Sequence, residues 1–177
     1  GNSGHGDFIV GAPSVVDEDI YVAASVDDGF HNWQFEAMKF SVTAADGTVK
    51  PFLSEIVEAA ISKPLKDVSS LSGSLVFAGF ADQDFSDELK NQIKGHVAII
   101  DRGKVAFAEK IRRAAEAGAV AAGVVNNAPG SPFVMGGEGK YEIPAVMISQ
   151  ELGTIFKQNL AAGLPVDVDF KTSEKME

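Results

Sequence analysis

The chain has 177 residues, 45% of them hydrophobic, and a formal charge of −10, which suits one domain with a real core plus a piece of a second. With no basic stripe, that acidic balance argues against nucleic acid or anionic membrane surfaces as partners. The lack of cysteine excludes disulfides, thiolate chemistry and Cys-type zinc sites, and no apolar run approaches the ~20 residues of a membrane helix.

The first 28 residues hold short strand-like runs, Ile9-Val10 and Ile20–Ala24, separated by Gly, Pro and acidic turn residues. The abrupt start at Gly1, without a signal-peptide pattern, predicts a piece of a longer chain. Trp33–Thr43 alternates, with Met38, Phe40 and Val42 opposite Ala37, Lys39 and Ser41, as a strand would. Ala45–Thr48 has hairpin-turn chemistry. Ile56–Ile61 reads equally as helix or strand. Ser69–Ser74 reads as a Ser/Gly loop leading into a strand at Leu75–Phe80.

The carboxylates of Asp82–Glu88 are of a kind that hard cations favour. The EF-hand spacing fails, because no Gly follows Ser86 where it is required and Ile93 stands at the bidentate Glu position. Ser86 instead caps a short helix, with Asp87 and Glu88 complementing its dipole and Gly95 ending it. No metal site is expected.

Val97–Ile100 is a continuous apolar run, as in a strand covered on both faces. Asp101, Arg102 and Gly103 form a turn. From Phe107 the period becomes helical: Phe107, Ile111, Ala114 and Gly118 share a face, with Ala108 and Ala115 beside them. Glu109, Lys110, Arg112, Arg113 and Glu116 are assigned to solvent, with Glu109 and Arg113 as a supporting i, i+4 pair. Gly118 stops the helix, and Val120–Val125 is a second buried strand. The unit closes most readily as a right-handed parallel crossover.

Residues 126–142 make a loop too long for a simple connection. Either its Phe133, Val134 and Met135 form a binding surface, as long loops on rigid scaffolds often do, or Phe133 and Met135 fold back to plug the sheet edge. After the IPAVMI strand, Ser149 caps a helix whose buried face is Leu152, Ile155, Phe156 and Leu160, closed by Gly163. Val166, Val168 and Phe170 alternate with Asp167, Asp169 and Lys171 in a half-exposed strand, and residues 171–177 read as a polar tail.

The run GHVAIIDRG, FAEKIRRAAEAGAVAAGVVNN, IPAVMIS resembles the protease-associated (PA) domain. The matching positions are Gly95, Asp101, Arg102, Gly103, Phe107, Lys110, Ala114, Ala117, Gly118, Ala119, Asn126, Asn127, Ile143, Pro144, Ala145, Ile148 and Ser149. His96 replaces a common Lys. The resemblance implies a module that contacts substrates or restricts access and performs no chemistry itself. Arg102 is expected to bond loop carbonyls or a carboxylate.

The start is similar to the stretch of subtilisin-like serine peptidases around their oxyanion asparagine. Gly1, Asn2 and Gly4, then Val10, Gly11 and Pro13, then Val22, Ala24 and Ser25 carry this similarity, with Ala23 in place of a usual Gly. It implies that Asn2 donates to the oxyanion in the parent enzyme, a role that contributes about 3–4 kcal/mol where such a donor is preorganised. A serine-peptidase triad needs Asp, His and Ser in one site. The three histidines, His5, His31 and His96, have no partners at catalytic spacing, so the chain alone should be inactive.

Together these readings predict an α/β, β-rich fold: a PA-like open β-sandwich or barrel flanked by a few short helices. A strip of subtilisin-like domain is expected at 1–29, the PA domain at 30–170 with its motif core at 75–163, and a tail at 171–177. The implied parent is a secreted subtilisin-like serine endopeptidase acting on protein or peptide substrates outside the cell, without a cofactor in this part. The alternatives are the PA module of a sorting receptor or of a zinc aminopeptidase.

Overall fold

A computed structural model describes residues 36–171. Asn2, His5, His31, the runs Ile9-Val10 and Ile20–Ala24, Trp33 and residues 172–177 lie outside the described residues.

Strands β1 (Glu36–Thr43) and β2 (Val49–Glu58) form a hairpin. Its turn is held by the Asp46 side chain, whose Oδ1 accepts the Thr48 N–H at 2.9 Å. A 3-10 turn at Leu65–Asp67 precedes β3 (Ser70–Phe77). Helix α1 (Asp87–Ile93), β4 (Val97–Asp101), α2 (Phe107–Glu116), β5 (Ala121–Val125), β6 (Ala145–Ile148), α3 (Gln150–Ala161) and β7 (Val166–Lys171) follow. Ser86 and Ser149 cap α1 and α3 through their side-chain oxygens, as their sequence positions predict.

The strands close into a barrel in the order β1-β2-β6-β5-β4-β3-β7, so of the expected open sandwich or barrel the structure has the barrel, and it is closed. β3, β4, β5 and β6 run parallel, and the other pairs are antiparallel. Among the described strands, closure leaves no free sheet edge.

The continuous apolar runs have a two-sided cause. Val97, Ile99, Val125, Val146 and Ile148 face a core shared with Met38, Phe40, Phe52, Ile56, Leu75 and Val168, against which α3 lays Leu152 and Phe156. Ala98, Ile100, Ala122, Val124, Ala145 and Met147 face a second cluster with Ile93, Ile111, Ala114 and Met135. The period of two sorts each parallel strand between the clusters.

Several boundaries differ from the sequence reading, Asp101 among them, which closes β4 rather than opening a turn. The Ser69–Ser74 loop is strand: β3 begins at Ser70 and pairs with β7 before it meets β4, because Leu71 and Leu75 anchor it to the core. β3 ends at Phe77 rather than Phe80. Ile56–Ile61 is strand only through Glu58, then turns. Lys171 belongs to β7 rather than to a tail.

In the β1–β7 register Lys39 faces Asp169. The start of β1 and the end of β7 therefore lie side by side, at the end of the barrel where β3–β6 begin. The loops after β3, β4 and β5 gather at the opposite end.

Candidate interaction site at the carboxyl edge of the parallel strands

α/β proteins place ligand sites outside the carboxyl ends of parallel strands, and here that edge collects most of the motif residues. Asp101 closes β4, and its Oδ1 accepts from Lys157 Nζ at 2.8 Å. Lys157 also stands 5.5 Å from the centre of the Phe77 ring.

Arg102 is tied to β5 by its backbone N–H, which donates to the Val125 carbonyl at 2.9 Å. Its Nη1 donates to Asn126 Oδ1 at 2.9 Å, and its guanidinium lies 4.7 Å over the Phe133 ring. The expected loop-carbonyl or carboxylate partner is thus corrected to a buried side-chain amide and an aromatic face. Phe107, opening α2, meets Phe133 edge-on at 6.1 Å, so Phe133 is held between a cation and a ring.

Gly103 has φ +119°, and a Cβ there would sit 3.7 Å from the Phe80 ring and 3.9 Å from Asn127 Nδ2. Two residues with side chains share left-handed geometry nearby, Ala81 at φ 51° and Lys104 at φ 65°. They sit in adjoining loops, which Lys104 joins by pairing with Asp82 at 3.1 Å and covering Phe80 at 4.5 Å. The Lys104 ammonium holds the Asp82 carboxyl below its usual range. Strained backbone of this kind concentrates at functional sites.

Lys110 corrects the helical assignment. It is fully buried, and its Nζ donates to the Phe80 carbonyl. Burial pushes its pKa down, opposed by Asp82 and Asp101. Read at i, i+3 and i+7 from Phe107, Lys110 and Ala114 lie on the apolar face, so spacing would have found it where residue type misled. Glu109 and Arg113 do pair, at 2.8 Å.

The loop residues divide. Val134 and Phe133 are exposed, at 59% and 38%. Met135 is corrected from surface to core: it is 0% exposed, and its carbonyl accepts the Ala60 N–H at 3.0 Å. Met135 therefore folds back as a plug, whereas Phe133 and Val134 stay exposed. Asp101, Arg102, Gly103, Phe107, Asn126 and Asn127 come together, whereas Gly118 and Pro144 lie elsewhere. Gly118 ends α2 at φ +80°, and Pro144 lends its carbonyl to Ala122 at 3.0 Å. Phe77, Phe80, Lys104 and Lys157 also belong to this edge, and nothing in their local spacing marks them.

Among the described residues no three His, Asp or Glu side chains gather as metal ligands, and His96 is exposed. These residues do not fit a zinc site. The edge offers apolar surface, aromatic faces and cations: it can bind.

Comparison with known proteins agrees with this architecture. The family model described as "PA domain" matches residues 71–156. "Leucine aminopeptidase 2" of Trichophyton equinum is 40% identical over 76 residues, covering 42% of this chain and 15% of that protein. "Probable leucine aminopeptidase 2" of Trichophyton verrucosum is 28% identical over 169 residues, covering 95% of this chain. The chain spans 32% of that relative's length. A zinc aminopeptidase from Bacillus subtilis shares the fold, with a TM-score of 0.56, 23% identity, and coverage of 80% of this chain and 32% of that one. An alignment over 95% of the chain takes in most of residues 1–29, the part that the sequence reading gave to a subtilisin-like domain. These relatives are aminopeptidases, and the subtilisin context has no support among them.

Proposed function

Given that residues 71–156 form a PA domain, we propose that this chain is the non-catalytic, substrate-holding part of a longer peptidase of the zinc aminopeptidase kind, acting outside the cell. The observation that carries this reading is the similarity to a leucine aminopeptidase along 95% of the chain. The adjacent ends of β1 and β7 support it, because two strand ends side by side let a domain be inserted in a host with little disturbance. The catalytic groups would come from outside residues 36–171, and peptide or protein substrate would meet the carboxyl edge at Phe133 and Val134.

The whole parent enzyme tests this. Release of N-terminal residues that a zinc chelator abolishes and a serine-hydrolase inhibitor spares supports the reading. Inhibitor-sensitive internal cleavage would replace it with the subtilisin-like one. The order GNSG, VGAPS, YVAAS favours that second reading, and on it Asn2 donates to the oxyanion. Asn2→Ala would then lower kcat of the whole enzyme about 100-fold or more, whereas on the aminopeptidase reading kcat stays unchanged.

A further inference from the structure

Among the arginines of this chain, Arg112 pairs with Glu109 and Glu116, and Arg113 pairs with Glu109 and Asp84. Arg102 has no carboxylate partner among the described residues. Among those residues, its one side-chain hydrogen bond goes to an uncharged amide oxygen, and its flat face rests on Phe133. A guanidinium carries five N–H donors in a rigid fork matched to a carboxylate, so one bond to Asn126 fixes its orientation and leaves donors for an anion. The neighbouring Phe133 and Val134 are exposed and apolar. They are held in place from both sides of the sequence, since Pro132 and Met135 are buried.

We propose that the Arg102–Phe133–Val134 corner binds the free C-terminal carboxylate of a peptide whose last side chain is apolar. The inference rests on reading this edge as a peptide-binding surface. The charge and the Phe133 ring lie in direct contact, 4.7 Å from guanidinium carbon to ring centre, and Val134 follows Phe133 in the chain. That spacing suits a carboxylate and a side chain borne on the same α-carbon. An acidic side chain places its charge further from the nearest apolar group, and serves the corner less well.

The test is an NMR titration of the ¹⁵N-labelled 177-residue chain with three peptides: Ala-Ala-Leu as free acid, Ala-Ala-Leu amide, and acetyl-Ala-Glu-Ala amide. The expected result is that the free acid moves the amide signals of Arg102, Gly103, Asn126, Asn127 and Val134, and binds about tenfold or more tightly than either other peptide. Arg102→Lys and Val134→Ser should each weaken the free acid about fivefold with an unchanged melting curve. Equal binding of acid and amide, or of the Glu peptide, overturns the carboxylate assignment while leaving the peptide-binding surface standing. No response to any of the three at about 10 mM, too weak for a useful site, removes both.

Discussion

The buried ammonium of Lys110 donates to the main-chain carbonyl of Phe80, joining helix α2 to the loop that follows β3. A buried polar group left without a partner costs about 1–3 kcal/mol, and truncating a long buried stem adds a cavity. Lys110→Ala should therefore destabilise the domain by about 3 kcal/mol, seen as a lowered urea midpoint with an unchanged slope. Lys110→Met keeps the stem and should lose less. Equal loss in both variants would mean that the bond to Phe80 dominates and packing of the stem contributes little.

Gly153 lets α3 lie against β5. A Cβ there would fall 2.2 Å from Val125 Cγ1 and 2.9 Å from its Cβ, whereas a Cβ at Gly123 would meet only the tip of Ile99, at 2.7 Å. Ile99 can swing its end carbon aside, but Val125 has no such freedom near its own Cβ. Gly153→Ala should cost about 2–3 kcal/mol from overpacking, and Gly123→Ala clearly less. Val125→Ala should recover part of the Gly153→Ala loss in a double-mutant cycle.

Charge pairs give two opposite pH signatures. Lys104 holds the Asp82 carboxyl below its usual range, and Arg112 does the same for Glu109. Depressed carboxylates stabilise the fold above their unfolded values of about 4, and that stabilisation is lost as pH falls through the folded values. Both keep about a third of their side-chain surface in solvent, so the effect is modest. Lys104→Ala should return the Asp82 midpoint upward in an NMR titration, and Arg112→Ala that of Glu109. Lys110 runs the other way: burial lowers its pKa from 10.5. Stability should therefore rise as pH climbs through the lowered value toward the ordinary one, a rise that Lys110→Met abolishes.

Arg102 grips the start of the 126–142 loop through Asn126 and its middle through Phe133. Arg102→Ala should speed amide hydrogen exchange in residues 126–134 while leaving the β4 and β5 strands protected. Faster exchange spread through both strands would show that Arg102 supports the barrel itself.

Much of this architecture is legible in the sequence where local patterns carry it. The strands at Val97 and Ala121, helix α2, both Ser caps and the alternation in β1 and β7 each follow from periodicity or capping chemistry. The Ser/Gly stretch Ser69–Ser74 misleads because its strand is made by partners far away in the chain, β7 above all. Closure of the barrel depends likewise on the β1–β7 and β2–β6 pairings, which no local spacing encodes. At the site, DRG, Phe107 and the Asn pair are visible as a motif. Lys110 is visible as a motif position, but its charge conceals its burial, and Phe77, Phe80 and Lys157 reach the edge only through tertiary packing.

The central claim is that this domain contributes binding through Phe133 and Val134 and no catalytic group. Its most direct test is steady-state kinetics of the whole parent enzyme carrying Phe133→Ser with Val134→Ser, compared on a long apolar peptide and on a single-residue chromogenic substrate. The account predicts that KM for the long peptide rises about three- to tenfold while kcat and the small-substrate parameters stay unchanged, as for loss of uniform binding. A fall in kcat on both substrates with KM unchanged would contradict it.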